Sequence, residues 1–267
     1  MTHPRVLVLQ SFRTEAVPRW IERCIESVRD WATANGWEHR LLGDELFDTV
    51  PEWFASKLGG NLVPMSDLAR IETMLRCFAT EPWDRIVWVD ADVLVFAPER
   101  LRIPDLRRPQ LVRELWIGHL PDGYVVEEKV NNSVIACVRG DSELTALRDE
   151  TIEAIRQSQK PDQLDAGTRM LTARQAVRPL PLLDAVGCFG PLVIRDLEAG
   201  GGEALDLLLE ACEVPPAAAN LCRSLGENEG ELGMVTEAGF ERSVDVLLGT
   251  GNPIAAAFER GGPSLAV

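Results

Sequence analysis

Two aspartates, Asp90 and Asp92, interrupt the apolar sequence VWVDADVLVF (residues 87–96). Residues i and i+2 of an extended strand point to the same face, so we expect both carboxylates to project together from the carboxyl end of a buried strand. Ligands of open α/β sheets bind at that edge. Neighbouring carboxylates repel each other, and a divalent cation would relieve the repulsion. The pair therefore predicts a Mg²⁺ or Mn²⁺ site that also holds phosphates. The alternative is a strand end that faces water.

The elements that position this pair follow from the hydrophobic periodicity. An apolar run at 5–10, a helical pattern over 15–35 and a second strand at 37–42 give the order strand, helix, strand, which predicts an α/β fold. Ser66 is predicted to cap a helix. The remaining expected elements are helices at 66–80, 141–158, 162–175 and 203–213, and strands at 84–96, 114–120 and 131–140.

The organisation predicted from this pattern is one main domain, 1–199, followed by a C-terminal extension, 200–267. The extension is rich in Gly, Pro and acidic residues and carries one clear helical pattern. We expect it to be irregular and helical, and to pack on or cover the active site of the main domain.

Composition and charge narrow the classes of function. The formal net charge of -15 argues against a groove for nucleic acid, because such binding depends on clustered Lys and Arg. The six cysteines form no C-x-x-C pair, which favours free thiols in a reducing cytoplasm. The N-terminal apolar run is too short for a secretion signal and no run reaches the length of a membrane span, so we expect a cytoplasmic protein.

Several short segments occur in an order that resembles one enzyme family. They are RVLVLQSF (5–12) with the helix after it, SDLARIETML (66–75), VDAD (89–92), NNSVIACVRGD (131–141) and VGCFGPLVI (186–194). Together they resemble the GT-A glycosyltransferases that carry a D-x-D motif and use nucleotide sugars. The most similar group is the Och1-like and capsular-polysaccharide sugar transferases, with the clostridial glucosylating toxins as distant relatives. The resemblance implies a GT-A type, Rossmann-like mixed sheet flanked by helices.

The resemblance also implies roles for individual residues. Asp92 would ligate Mn²⁺ or Mg²⁺ directly, and Asp90 would reach the metal through water while contacting the donor. The implied donor-binding residues are Gln10, Ser11, Asp67, Arg70, Asp90 and Ala91. The implied catalytic residues are Asp92, Asn132 and Asp165.

Some of these roles have plain structural alternatives. Asp67 and Arg70 lie three residues apart on a predicted helix and could form an ordinary surface ion pair. Either Gln163 or Asp165 could lie near the anomeric carbon, or the segment could simply begin a helix with Asp162 as its cap.

The resemblance implies a metal-dependent transferase that moves a sugar from a UDP- or GDP-sugar to a hydroxyl of a small-molecule or glycan acceptor, with retention of configuration. The sequence departs from the family in two places. EPWDRIVWVDAD replaces the usual glycine pair before the D-x-D, and no His or aromatic metal ligand is visible after residue 195. Two alternatives remain open: a non-catalytic protein that binds sugar nucleotides, and a haloacid-dehalogenase-type phosphatase, whose nucleophile also lies in an apolar D-x-D strand.

Overall fold

The computed structural model describes residues 4–104, 107–226 and 235–255. The strands are β1 (Val6–Ser11), β2 (Glu38–Leu42), β3 (Arg85–Val89), β4 (Val93–Val95), β5 (Gln110–Leu120), β6 (Gly123–Val138), β7 (Leu182–Leu183), β8 (Val186–Cys188) and β9 (Ala218–Asn220). The helices are α1 (Arg19–Ala34), α2 (Glu52–Lys57), α3 (Leu62–Thr80), α4 (Ser142–Gln157), α5 (Thr168–Val177), α6 (Pro191–Ala199), α7 (Glu203–Ala211), α8 (Arg223–Gly226) and α9 (Glu237–Leu248).

The strands form two sheets. Six of them make a mixed sheet in the order β2-β1-β3-β6-β5-β7, and three short ones make a second sheet in the order β4-β9-β8. In the larger sheet, β1 is parallel to both β2 and β3, while β3 and β5 are antiparallel to β6. The predicted α/β fold, a mixed sheet flanked by helices, is confirmed.

The central strands β1 and β3 are buried on both faces, which explains their continuous apolar sequences. In β1, Leu7 and Leu9 pack on the side that holds the apolar residues of α3 and α4. Val6 and Val8 alternate with them and pack on the opposite side, where α1 contributes Trp31. Each strand therefore joins two separate layers of the core.

The predicted strand over 84–96 is wrong, because the chain turns at the aspartate pair. β3 ends at Val89, a turn follows in which the amide of Val93 donates to the carbonyl of Asp90 (3.1 Å), and β4 then begins in the other sheet. Asp90 and Asp92 consequently lie in the connection between the two sheets and not on one extended strand. The expectation that strand alternation brings them to the same face does not hold.

Two predicted helix starts also need correction. Helix α3 begins four residues before Ser66, since the side chain of Asn61 caps it by accepting from the amide of Val63 (3.2 Å). The predicted helix over 162–175 begins instead at Thr168. Residues 162–167 form a turn in which Asp162 accepts from the amide of Leu164 (2.8 Å).

Strand β6 carries an irregularity beside the end of β3. Gln110 of β5 lies opposite Ala136, whereas Val112 lies opposite Asn131, so two positions along β5 correspond to five along β6. The extra residues of β6 leave the hydrogen-bonded ladder with β5, as in a large bulge, so their polar groups are available to other partners. Asn132 and Ser133 lie in this irregular segment.

Of the predicted C-terminal extension, residues 200–226 and 235–255 are built into the same core, and the rest lies outside the described residues. Strand β9 lies between β4 and β8. Helix α9 packs on α1, where Trp20 and Phe240 stack with their ring centroids 4.3 Å apart. In the parts of the chain that the structure describes, no helix has both the length and the apolar sequence that crossing a membrane requires.

Candidate active site

A cavity of about 350 Å³ opens at the carboxyl ends of β1 and β3, beside the irregular segment of β6. Its walls come from the end of β1 and the loop after it, residues 44–47, the first turns of α3, the turn between β3 and β4, strands β5 and β6, the start of α5 with the segment before it, and the end of β9 with the segment after it. Its polar and charged lining residues are Ser11, Arg13, Asp44, Ser66, Asp67, Arg70, Asp90, Asp92, Glu114, Asn131, Asn132, Ser133, Gln163, Thr168, Asn220, Arg223 and Ser224.

Asp90 is held at the base of this cavity by two donors. Trp88, two residues earlier and within β3, donates from Nε1 to Oδ1 of Asp90 (2.7 Å). Nη1 of Arg70 lies 3.0 Å from the same oxygen. Burial raises the pKa of Asp90, and the charge of Arg70 works in the opposite direction. The carboxylate is thus oriented by groups that favour its ionised form.

Asp67, Arg70 and Asn132 form a buried network with Asp90. Nη2 of Arg70 lies 3.4 Å from Oδ1 of Asp67, and the Asn132 side chain donates to the same oxygen (3.0 Å). Nη1 of Arg70 also donates to the carbonyl of Asn132 (2.8 Å), which the irregularity in β6 turns toward α3. The side chains of Asp67 and Arg70 are each 6% exposed, so the alternative of a plain surface ion pair is wrong.

Asp92 faces the cavity from the turn itself. Its Oδ2 accepts from the amide of Arg223 (2.9 Å), and its carbonyl accepts from the amide of Leu221 (3.0 Å). Burial, followed by the negative charge of Asp90, raises the pKa of Asp92 to about 6. The side chain therefore sits where a positive charge would be stabilised.

Of the implied donor-binding residues outside the network, two line the cavity and one lies behind its wall. Ser11 lines the cavity, and so does Ala91. Gln10 is fully buried and does not line the cavity; its amide nitrogen donates to the carbonyl of Asp90 (3.3 Å), and its Oε1 lies 2.9 Å from Nε2 of His39. Gln10 supports the aspartate turn from behind.

Of the two candidates in the turn before α5, Gln163 lines the cavity and Asp165 does not. The carboxylate of Asp165 accepts from the hydroxyl of Ser158 and the amide of Asp162, both at 3.1 Å, and it pairs with Arg169. These contacts hold the turn closed. The structure thus brings together Asp67, Arg70, Asp90, Asp92 and Asn132 but leaves Asp165 apart from them.

Several cavity residues were missed by the sequence analysis. Asn220 ends β9, Cys222 lies in the connection after it, and Arg223 and Ser224 begin α8, all within the predicted C-terminal extension. Glu114, from β5, is 7% exposed and accepts from the side chain of Asn131 (2.8 Å). Only the acidic type of Glu114 within an apolar strand could have singled it out, since no short motif marks the others.

The donor chemistry of the aspartate turn fits a hard divalent cation. Asp92 lines the cavity, and burial together with the negative charge of Asp90 raises its pKa, so a bound cation would favour the ionised carboxylate. Among the residues that the structure describes, no group of three or more His, Cys, Asp and Glu side chains could hold a metal. Mg²⁺ and Mn²⁺ are bound in many proteins by one or two carboxylates with waters and substrate phosphates, and a pair suffices for that mode.

No family model matches the chain, and no curated protein matches it. Solved structures of similar fold include a glycosyltransferase involved in the glycosylation of the major capsid of PBCV-1 (12% identity, 90% of this chain and 97% of that chain covered, TM-score 0.48). They also include the apo form of the glycosyltransferase GlyE from Streptococcus pneumoniae TIGR4 (15% identity, 99% and 66% covered, TM-score 0.46). A third is an active-site mutant of LgtC (12% identity, 89% and 94% covered, TM-score 0.44).

Proposed function

We propose that this chain is a metal-dependent glycosyltransferase that moves a sugar from a nucleoside-diphosphate sugar to an acceptor hydroxyl. The observation that carries the proposal is the meeting of Asp67, Arg70, Asp90 and Asn132 with the carboxylate of Asp92 at one cavity. A metal held next to buried hydrogen-bonding groups suits a ligand that is a phosphate at one end and a sugar at the other.

The aspartate turn and the buried network have different roles, metal binding and sugar binding. Asp92 would ligate Mn²⁺ or Mg²⁺ directly and Asp90 would reach it through water; the bound metal would offset the charge that develops on the departing nucleoside diphosphate. Asp67, Arg70 and Asn132 bind the donor sugar, because each lines the cavity and is held in place by its partners in the buried network. The donor is a UDP- or GDP-sugar, and the acceptor is a small molecule or a glycan.

We propose retention of the anomeric configuration, on the resemblance in sequence and on one placement. Gln163 lines the cavity together with Asn132, so two residues with carboxamide side chains contribute to its wall. A carboxamide can orient a hydroxyl or stabilise charge by hydrogen bonds without itself becoming a glycosyl ester. Proton NMR of the sugar first released from an α-linked donor tests this: an α product supports retention, and a β product excludes it.

The phosphatase alternative is disfavoured by the surroundings of Asp90. A phosphatase nucleophile needs a carboxylate oxygen free to attack phosphorus. Oδ1 of Asp90 is held by Trp88 at 2.7 Å, and Oδ2 accepts from Nη1 of Arg70 at 3.1 Å. Both oxygens are engaged in positioning.

A panel of nucleotide sugars incubated with Mn²⁺ tests the proposed function. Metal-dependent release of free sugar and nucleoside diphosphate is expected for one donor. Binding of that donor without turnover, with or without candidate acceptors, would favour the sugar-nucleotide-binding alternative. Release of phosphate from a simple monoester with no nucleotide sugar consumed would contradict the proposal.

A further inference from the structure

Two cysteines meet at the wall of the cavity. The Sγ atoms of Cys188 and Cys222 lie 3.3 Å apart, and the two residues are 2% and 7% exposed. Cys188 ends β8, and Cys222 follows β9. The contact brings together two thiols that are 34 residues apart in the sequence. It does not follow from any C-x-x-C spacing.

The backbone around Cys222 is shaped to make this contact. In the parallel pairing of β8 and β9, Cys188 lies opposite Asn220. The side chain of Asn220 accepts from the amide of Cys222 (3.1 Å), which turns the chain back after the strand. Cys222 itself has a φ of 50°, in the left-handed region that residues other than glycine seldom adopt. Such conformations persist where the surrounding structure imposes them.

We propose that Cys188 and Cys222 form a redox pair that is converted to a disulfide by a low-molecular-weight disulfide. The proposal rests on the thiol contact and is independent of the function proposed above. A disulfide requires the two sulfurs to approach to about 2.05 Å with their Cβ atoms about 3.8 Å apart. From the observed contact the two sulfurs would have to move only a short distance closer, because β8 and the end of β9 already hold the two residues side by side.

The reaction proceeds in two exchanges. The thiolate of Cys222, which lines the cavity, attacks one sulfur of the small disulfide and expels one thiol. The thiolate of Cys188 then attacks Sγ of Cys222 and expels the second thiol. Two protein thiols and one small disulfide thus yield one protein disulfide and two small thiols. The contact with Cys222, together with burial, raises the pKa of the Cys188 thiol. At Cys222 the contact with Cys188 acts to lower the pKa, but burial and nearby carboxylates raise it above its usual value, so mildly alkaline conditions favour both exchanges.

The disulfide would stiffen one wall of the cavity. Arg223, next to Cys222, donates its amide to the carboxylate of Asp92 at 2.9 Å. Linking Cys222 to β8 therefore anchors the segment that holds this amide in place. A cross-link also restricts the unfolded chain, so we expect the oxidised protein to melt about 5 °C higher than the reduced one.

Mass spectrometry of the full-length chain tests the proposal. The protein is incubated with oxidised glutathione at pH 8.5, denatured, alkylated and digested, with reduced protein treated in parallel. We expect a peptide pair joined through Cys188 and Cys222, loss of alkylation at these two positions only, and full recovery of alkylation after dithiothreitol. Complete alkylation of both residues after oxidation, or a stable glutathione adduct on Cys222, would overturn the proposal.

Single substitutions supply controls. Cys222→Ser removes the cross-link and leaves Cys188 alkylated. Cys212→Ser, in a partly exposed cysteine at the end of α7, leaves the cross-link intact. A cross-link from Cys188 to Cys212 in the wild-type protein would contradict the assignment. The wild-type peptide map decides the question even if Cys222→Ser folds poorly.

Discussion

Arg70 of α3 places its Nη1 atom 3.0 Å from Oδ1 of Asp90, at the carboxyl end of β3. The same guanidinium lies 3.4 Å from Asp67 and 5.5 Å above the ring of Trp88. One positive charge therefore faces two carboxylates that are largely withdrawn from solvent. The helix and the strand that build the site are joined through this side chain.

Replacement of Arg70 is expected to destabilise the fold. In Arg70→Met, the carboxylates of Asp67 and Asp90 lose their buried counter-charge, and removing one partner of a buried ion pair costs about 3 kcal/mol. Urea unfolding at pH 7 measures the change. Arg29→Met is the control, because the side chain of Arg29 is 53% exposed and its ion pairs with Glu26 and Asp30 are long. A loss below about 1 kcal/mol in Arg70→Met would contradict the importance of the network.

Substitution of Gly167 by any residue with a Cβ atom is expected to destabilise the protein. A Cβ atom at this position would lie 2.7 Å from Oδ2 of Asp67, closer than van der Waals contact allows. Gly167→Ala must therefore displace Asp67 or the start of α5, at a cost of about 2 kcal/mol. Thermal and urea unfolding measure this cost. Gly251→Ala, where a Cβ meets nothing within 4 Å, serves as the matched control and should unfold like the wild type.

If Gly167→Ala also weakens donor binding while the melting temperature falls only slightly, the displaced group is Asp67. Unchanged stability together with unchanged binding would show that the close approach of Gly167 to Asp67 is not a constraint.

The pair between Arg40 and Glu81 gives a stability that depends on pH. Two hydrogen bonds of 2.8 and 2.7 Å join the guanidinium of Arg40 to the carboxylate of Glu81, and they lower the pKa of Glu81 from 4.5 to about 2. A lowered carboxyl pKa stabilises the folded state fully above the unfolded value of 4.5 and loses that effect as the pH falls through 2. Since a third of each side chain is exposed, solvent screening limits the gain to about 1 kcal/mol.

Glu81→Gln should thus be about 1 kcal/mol less stable than wild type at pH 7, with the difference shrinking as the pH is lowered from about 4.5 toward 2. Denaturant unfolding across this range measures the difference. Glu38→Gln is the control, because Glu38 lies 3.6 Å from Arg40 and is 54% exposed. A difference that stays constant with pH would exclude the ionic contribution of Glu81.

The sequence was most informative where local pattern decides structure. The continuous apolar runs of β1 and β3 predicted buried strands, and the helical pattern over 15–35 predicted α1. Asp67, Arg70, Asp90 and Asn132 were expected in one site from the order of their motifs. Their direct contacts, however, depend on how α3 and β6 approach β3, which no local pattern specifies.

The features of the fold and of the site that the sequence did not predict depend on contacts between distant parts of the chain. The turn at Asp90 breaks a run of strand-forming residues because β4 pairs with β9, more than a hundred residues later. Strand β9 has the sequence AAN, whose small residues have low strand propensity, and is kept by its fully buried position between β4 and β8. The wall that contributes Asn220 and Arg223 was unpredictable for the same reason.

Calorimetric titration of Asp92→Asn tests most directly whether Asp92 holds a metal–nucleotide ligand, as proposed. An asparagine oxygen can still accept from the amide of Arg223, so folding and melting temperature should be preserved. Asp122→Asn, in the exposed turn between β5 and β6, is the control. With Mn²⁺ and UDP or GDP, we expect roughly 100-fold weaker affinity in Asp92→Asn and unchanged affinity in Asp122→Asn. A folded Asp92→Asn protein that binds the Mn²⁺–nucleotide as tightly as wild type would contradict the account.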